Sequence, residues 1–214
     1  ACIDAEQDPT QVTEAQAVQG GPYGPWQVTG ETVQIEKLLA PVQPTAVMCI
    51  GLNYREHAEE TGQDLPEHPV LFMKNPAALA HPGDPIVLPR GTVEKPEVDY
   101  EVELAVVIGR DAKDVPLDEA LRYVAGYTVG NDVSARRWQK HAGGGQWVRG
   151  KSFDGFCPLG PCLVTPEAIN DPQTLRLTTE LNGQVMQDSN TSDMIFTVAQ
   201  LISELSQDLT LRAG

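Results

Sequence analysis

Positive charge is scarce in this sequence. Its 214 residues carry 15 Lys and Arg against 30 Asp and Glu, a formal net charge of −15. Such a chain has no positive field to collect phosphates, which argues against nucleic acid and anionic membrane as partners. No apolar run approaches the roughly 18 residues that a membrane-spanning helix needs. No positively charged start followed by an apolar run marks an export signal, so a cytoplasmic location is expected. The four cysteines, Cys2, Cys49, Cys157 and Cys162, make no C-x-x-C pair. Three lie in or beside apolar runs and read as small buried hydrophobes in a reducing compartment. Internal repeats and low-complexity tracts are also lacking.

What is present is ordinary globular composition, 41% hydrophobic and 21% charged, in a chain long enough for one domain with a real core. Residues 1–44 read as an N-terminal lead or the remnant of a small subdomain. They are polar and weakly periodic to residue 20, turn-rich over Gly20–Pro25, with a short strand and a helix start over 31–39. The main domain is assigned to 45–214. Its strands are expected at Ala46–Ile50, Val70–Met73, Val102–Ile108, Val124–Val129, Pro158–Thr165 and Leu175–Asn182. Asn182-Gly183 predicts a tight hairpin turn. Helical pattern covers Asn53–Glu60, Leu117–Tyr123 and Thr197–Asp208, the last with Val198, Leu201, Ile202 and Leu205 on one face. Many short strands and few helices predict a β-rich α+β fold, not a βαβ array.

The candidate chemistry is carboxylate-based. In Asp99-Tyr100-Glu101-Val102-Glu103, the period of two puts Asp99, Glu101 and Glu103 on one face. Three acids facing one way repel each other unless a cation lies between them, although a solvated edge strand accounts for them equally well. Asp132 lies where a strand runs into a turn. Glu101, Glu103 and Asp132 together supply the all-oxygen shell that suits Mg²⁺, with Mn²⁺ or Ca²⁺ as alternatives, better than Zn²⁺. Arg136, Gln139 and Lys151 follow within twenty residues and could grip a carboxylate or an oxyanion; surface ion pairs are the plainer account. Lys74 ends a buried strand and could point the same way. His57 and Glu60 lie three apart on a helical segment, a spacing that suits an acid–base pair but is also common on surfaces. His68, His81 and His141 receive no role.

Taken together, several segments resemble the fumarylacetoacetate hydrolase superfamily. They are Gly51-Leu52-Asn53-Tyr54-Arg55-Glu56-His57, Asp99–Leu104, Ala125-Gly126-Tyr127, Asn131–Arg136, and the run from Gly150-Lys151-Ser152-Phe153-Asp154-Gly155 to Gly160. The resemblance runs from about residue 45 onward. It implies a mixed β-roll and a homodimer, with a metal site at Glu101, Glu103 and Asp132. It implies a His57–Glu60 dyad on a mobile lid helix, with Arg136, Gln139 and Lys151 facing substrate; Lys151 is taken with the dyad as catalytic, and Lys74 is added to the substrate-binding residues from its place at the strand end. The substrates implied are 2-oxo acids or diketones, through acylpyruvate hydrolysis or through oxaloacetate tautomerisation or decarboxylation. Val133–Gln139, Gln146-Trp147 and Ser189-Asn190-Thr191 look closest to the oxaloacetate-tautomerase-like branch. The family pattern continues past a strand like Leu209–Gly214, so a roll lacking its C-terminal strands is expected here. The rival reading is a homologue that binds metal and 2-oxo acid without turnover.

Overall fold

A computed structural model describes residues 7–21, 23, 25–93 and 97–214. Cys2, the first six residues of the lead, and Pro22 and Gly24 of the connector lie outside that set. The lead is more ordered than its polar composition suggests. Strand β1 (Glu14–Gly20) pairs antiparallel with β2 (Trp26–Gln34) in a hairpin. Main-chain pairing organises this segment, and backbone pairing leaves no apolar period to read in the side chains. The helix start expected over 31–39 is not formed.

The next elements in chain order are β3 (Val47–Gly51), helix α1 (Arg55–Glu60), β4 (Val70–Lys74), β5 (Leu79–Ala80), helix α2 (Arg90–Val93), β6 (Val98–Asp99) and β7 (Val102–Ile108). They are followed by β8 (Val124–Asn131), β9 (Ser134–Ala135), helix α3 (Val148–Lys151), β10 (Cys157–Val164), β11 (Arg176–Leu181), β12 (Gln184–Asn190) and helix α4 (Val198–Asp208). The largest sheet has the order β5-β10-β8-β7 and is mixed: β10 runs parallel to β5 and antiparallel to β8. The expected helix Leu117–Tyr123 is a 3₁₀ segment that leads straight into β8.

Alternation along β7 and β8 gives this sheet two apolar faces. Val107 and Ala125 join Phe156, Leu159 and Val133 in one core. Val124 and Tyr127 join Val198, Ile202 and Leu211 in the other. Helix α4 covers the second face. Thr197 accepts from the Gln200 amide and Gln200 answers the Thr197 amide, which satisfies helix-end donors. At the β11–β12 turn, Asn182 (φ 53°) and Gly183 (φ 77°) are both left-handed, as a two-residue hairpin turn of this hand requires.

Candidate functional site

The site begins with a strand register. The acidic segment does not form one strand: β6 pairs with β9 and β7 with β8, with Tyr100 and Glu101 in neither. Asp99 opposes Ser134 and Val102 opposes Asn131, so one antiparallel register runs through the gap. Carried across it, that register sets Glu101 opposite Asp132, whose amide donates to the Glu101 carbonyl at 2.8 Å. The Glu101 amide turns instead to Asn131 Oδ1, at 3.1 Å. Asp99, Glu101 and Glu103 therefore share a face with Asp132 and Ser134.

Three cationic side chains come to that face from separate elements. Alternation along β4 buries Lys74 at its end; Nζ bonds Asp132 Oδ1 at 2.5 Å and the Val133 carbonyl at 3.2 Å. Lys151 closes α3 and reaches Asp132 Oδ2 (2.6 Å), Glu101 Oε2 (2.7 Å) and Ser134 Oγ (2.8 Å). Both lysines are only 2% exposed. Lys151 gets there because α3 lies against the π-helical turn Trp138–Ala142. A Cβ on Gly150 would stand 2.5 Å from the Gln139 amide nitrogen. Arg136 grips Asp99 through Nε (3.0 Å) and Nη2 (2.8 Å), pairs with Glu101 through Nη1, and donates to Gln139 Oε1 at 3.1 Å. Buried charges in this arrangement survive because each has partners.

Glu103 is the exception. Its carboxyl has no hydrogen bond or ion pair among the described residues, whereas Asp99, Glu101 and Asp132 are all paired. Burial first, then the charges of Glu101 and Asp132, push it up to about 8 against the pull of Lys151 and Lys74. Four carboxyl groups thus face three cationic groups. The oxygen donor set fits a hard divalent cation. As the side chains stand, lysine ammonium groups hold the oxygens of Asp132. Among the described residues no three acids, histidines or cysteines form a ready-made cation cage.

The centre opens into a cavity of about 600 Å³ between β3, β7 and α4. Its polar lining includes Asn53, Tyr54, Lys74, Glu103, Thr128 and Asp132; most of the rest is apolar. Cys49 and Cys157 also line it. Burial pushes the Cys157 thiol up to about 11 and the Cys49 thiol further, so both are poor nucleophiles, in line with small apolar fillers.

The structure thus brings Lys74, Glu101, Glu103, Asp132, Arg136, Gln139 and Lys151 together. It does not bring His57 and Glu60 to them. Both are exposed on α1, His57 does not line the cavity, and the two make no hydrogen bond with each other. Reading the sequence assigned no role to Asp99, which orients Arg136, or to Ser134, which accepts from Lys151. Nor did it assign one to Asn53, which pins the chain ahead of α1 to Phe196 by two hydrogen bonds. The signal for Ser134 was available: period two from Asp132 puts it on the same face.

Residues 46–214 match the family model described as fumarylacetoacetate (FAA) hydrolase C-terminal. The chain belongs to the fumarylacetoacetate hydrolase family. It is 48% identical over 186 residues to the fumarylacetoacetate hydrolase domain-containing protein 2 homolog of Dictyostelium discoideum, covering 83% of this chain and 60% of that protein. It is 48% identical over 177 residues to the mitochondrial oxaloacetate tautomerase FAHD2A of Bos taurus, covering 82% and 55%. The chain therefore spans somewhat over half the length of these curated relatives. Among solved structures, a 5-carboxymethyl-2-hydroxymuconate delta-isomerase from Mycobacterium smegmatis superposes with a TM-score of 0.82 at 40% identity, covering 94% of this chain and 76% of that one. The expected β-rich mixture of strands and helices thus stands within its family's fold. No described helix is long and apolar enough to cross a membrane.

Proposed function

We propose that this chain carries the catalytic domain of a divalent-cation-dependent enzyme that interconverts keto and enol forms of a 2-oxo acid, with oxaloacetate the first substrate to test. The observation that carries this reading is the buried centre itself. Two lysines and an arginine are woven among four carboxyl groups, and Lys74, Glu103 and Asp132 of this cluster line a cavity large enough for a small dianion. Relatives named as oxaloacetate tautomerases and an isomerase support the reaction type.

Glu101, Glu103 and Asp132 would hold Mg²⁺, or Mn²⁺ or Ca²⁺ in its place. When bound, the cation supplies Lewis-acid polarisation of the 2-oxo group, which makes the adjacent carbon acid easier to deprotonate. Lys151, released from part of its carboxylate pairing, donates to the oxygen on which negative charge develops. Arg136, held by Asp99 and Gln139, presents its planar donors to a substrate carboxylate. His57 is the general base: it takes a proton from carbon 3, and the 2-oxo oxygen gains one to complete the enol. Glu60 steadies the imidazolium. For this, α1 must close over the cavity mouth, since His57 stands outside it in the free protein. A homodimer would cover remaining strand edges.

The decisive experiment follows the ultraviolet absorbance of the enol of oxaloacetate in the presence of the protein. Loss of the enol signal faster than the buffer rate, abolished by EDTA and restored by Mg²⁺ or Mn²⁺, is expected. A cation-independent rate equal to that of buffer would leave only the binding homologue without turnover.

A further inference from the structure

Two residues that line the cavity carry buried side-chain hydroxyls with no partner among the described residues: Tyr54 Oη and Thr128 Oγ1. An unsatisfied buried hydroxyl costs free energy, and an apolar residue of the same shape would avoid it. We propose that these two hydroxyls hold an oxygen at the distal end of the 2-oxo acid and so select substrates longer than the reacting head. This rests on the function proposed above and names the part of the substrate those residues recognise.

The register places both groups. Thr128 opposes Ala105 on β7, two residues beyond Glu103, while Gly130 opposes Glu103 itself. Period two puts Thr128 on the face that carries Asp132 and Glu103, roughly 7 Å further along the strand from Gly130. Gly130 adds no side chain between them. Thr128 is 5% exposed and lines the cavity, with its hydroxyl shielded from solvent.

Tyr54 arrives from the other wall. It precedes α1 with an extended backbone (φ −119°, ψ 130°) and bridges to Met194. Its neighbour Asn53 exchanges hydrogen bonds of 3.0 and 2.9 Å with the Phe196 main chain. Tyr54 is therefore fixed where the helix after it is exposed. Its hydroxyl makes no hydrogen bond among the described residues, although Tyr54 and Glu103 line the same cavity. Lys74, Glu103 and Asp132 line the cavity at the reacting end. The distal end offers neutral donors, which suit the carbonyl or carboxyl oxygen of a short chain.

The test uses two non-reacting probes with Mn²⁺ present, titrated by calorimetry into wild type, Tyr54→Phe and Thr128→Val. Oxalate has only the head; 3,3-difluoro-oxaloacetate keeps both ends and cannot enolise. Each variant is expected to weaken the longer probe about tenfold, the scale of one hydrogen bond. Oxalate affinity should stay at the wild-type value and the ligand-free melting temperature should not fall, because the hydroxyls removed have no partner among the described residues. Unchanged binding of the longer probe, or equal losses for both probes, overturns the distal assignment. If wild type binds neither probe, the proposed function itself fails and this inference falls with it.

Discussion

The carboxylate–lysine centre and the segment 53–62 are built on opposite principles. At the centre, Lys74, Lys151 and Asp132 are buried and each makes at least two bonds. Along α1 only Ala58 is buried, and the histidine and glutamates face solvent; at the helix start the Glu56 amide donates to Asp193 Oδ2 at 3.1 Å. The centre is held by the folded chain before any ligand arrives. The segment is held at its start, by Asn53 and by the Glu56 amide on Asp193 Oδ2; at its other end the Gly62 (φ 64°) amide donates within the segment, to the Glu59 carbonyl. Preorganised charge belongs on the rigid element, and closure belongs on the one with little burial to lose.

Substitution of His57 should produce the largest functional effect with almost no structural one. His57→Ala is expected to lower oxaloacetate turnover by about two to four orders of magnitude. Its denaturation midpoint should stay at the wild-type value, since exposed substitutions seldom shift stability by more than about 0.5 kcal/mol. Wild-type turnover in this variant would put the base at the centre, with Lys151 first in line.

Lys151→Met should show the reverse balance. It strands carboxylates of Glu101 and Asp132 in a buried site, and breaking such a pair costs about 3–5 kcal/mol, to be read from urea unfolding. Asp132→Asn should destabilise for the same reason, because it leaves Lys74 and Lys151 short of their partner. Repulsion among the acids alone would predict the opposite sign; the lysines relieve it everywhere except at Glu103.

Glu103 gives a smaller, pH-dependent effect in the cation-free protein. Its carboxyl rises from an ordinary 4.5 to about 8 on folding, so the folded chain binds that proton more tightly. The resulting stabilisation is fully present below about pH 4.5 and is lost as pH rises to about 8, on the order of a few kcal/mol. Melting curves across that window should flatten in Glu103→Gln. Cation affinity should drop in the same variant, measured by calorimetry with Mn²⁺.

The smallest effect is expected at the hinge. Leu52 has a left-handed backbone (φ 54°), an uncommon conformation for a branched side chain, just before the pinned Asn53. Leu52→Gly relieves that strain but frees the unfolded chain, so net stability should shift by under about 1 kcal/mol. Protease cleavage within 53–62 should nonetheless quicken. Equal cleavage rates would mean that contacts other than the hinge, such as that of Glu56 with Asp193, hold the segment.

Much of the centre was legible because it rests on local periodicity. Period two put Glu101 and Glu103 on one face, and the end of a strand marked Asp132. The run after it held Arg136, Gln139 and Lys151. The amphipathic stripe of α4 and the Asn182-Gly183 turn were readable for the same reason: each depends on residues within one or two turns of chain. The β1–β2 hairpin was not, because its bonds run between main-chain groups that carry no side-chain signature. Which groups neutralise the acids, and which acid is left without a partner, was settled by elements far apart in sequence. Lys74 comes from β4 and Lys151 from α3, and both converge on Asp132 after β8. Long-range packing likewise brought Tyr54 and Thr128, whose hydroxyls have no partner among the described residues, to one cavity and kept His57 outside it. Sequence fixes which side chains share a face, since that follows from covalent geometry. Partners across the fold depend on where separate elements meet, which only the packed chain decides.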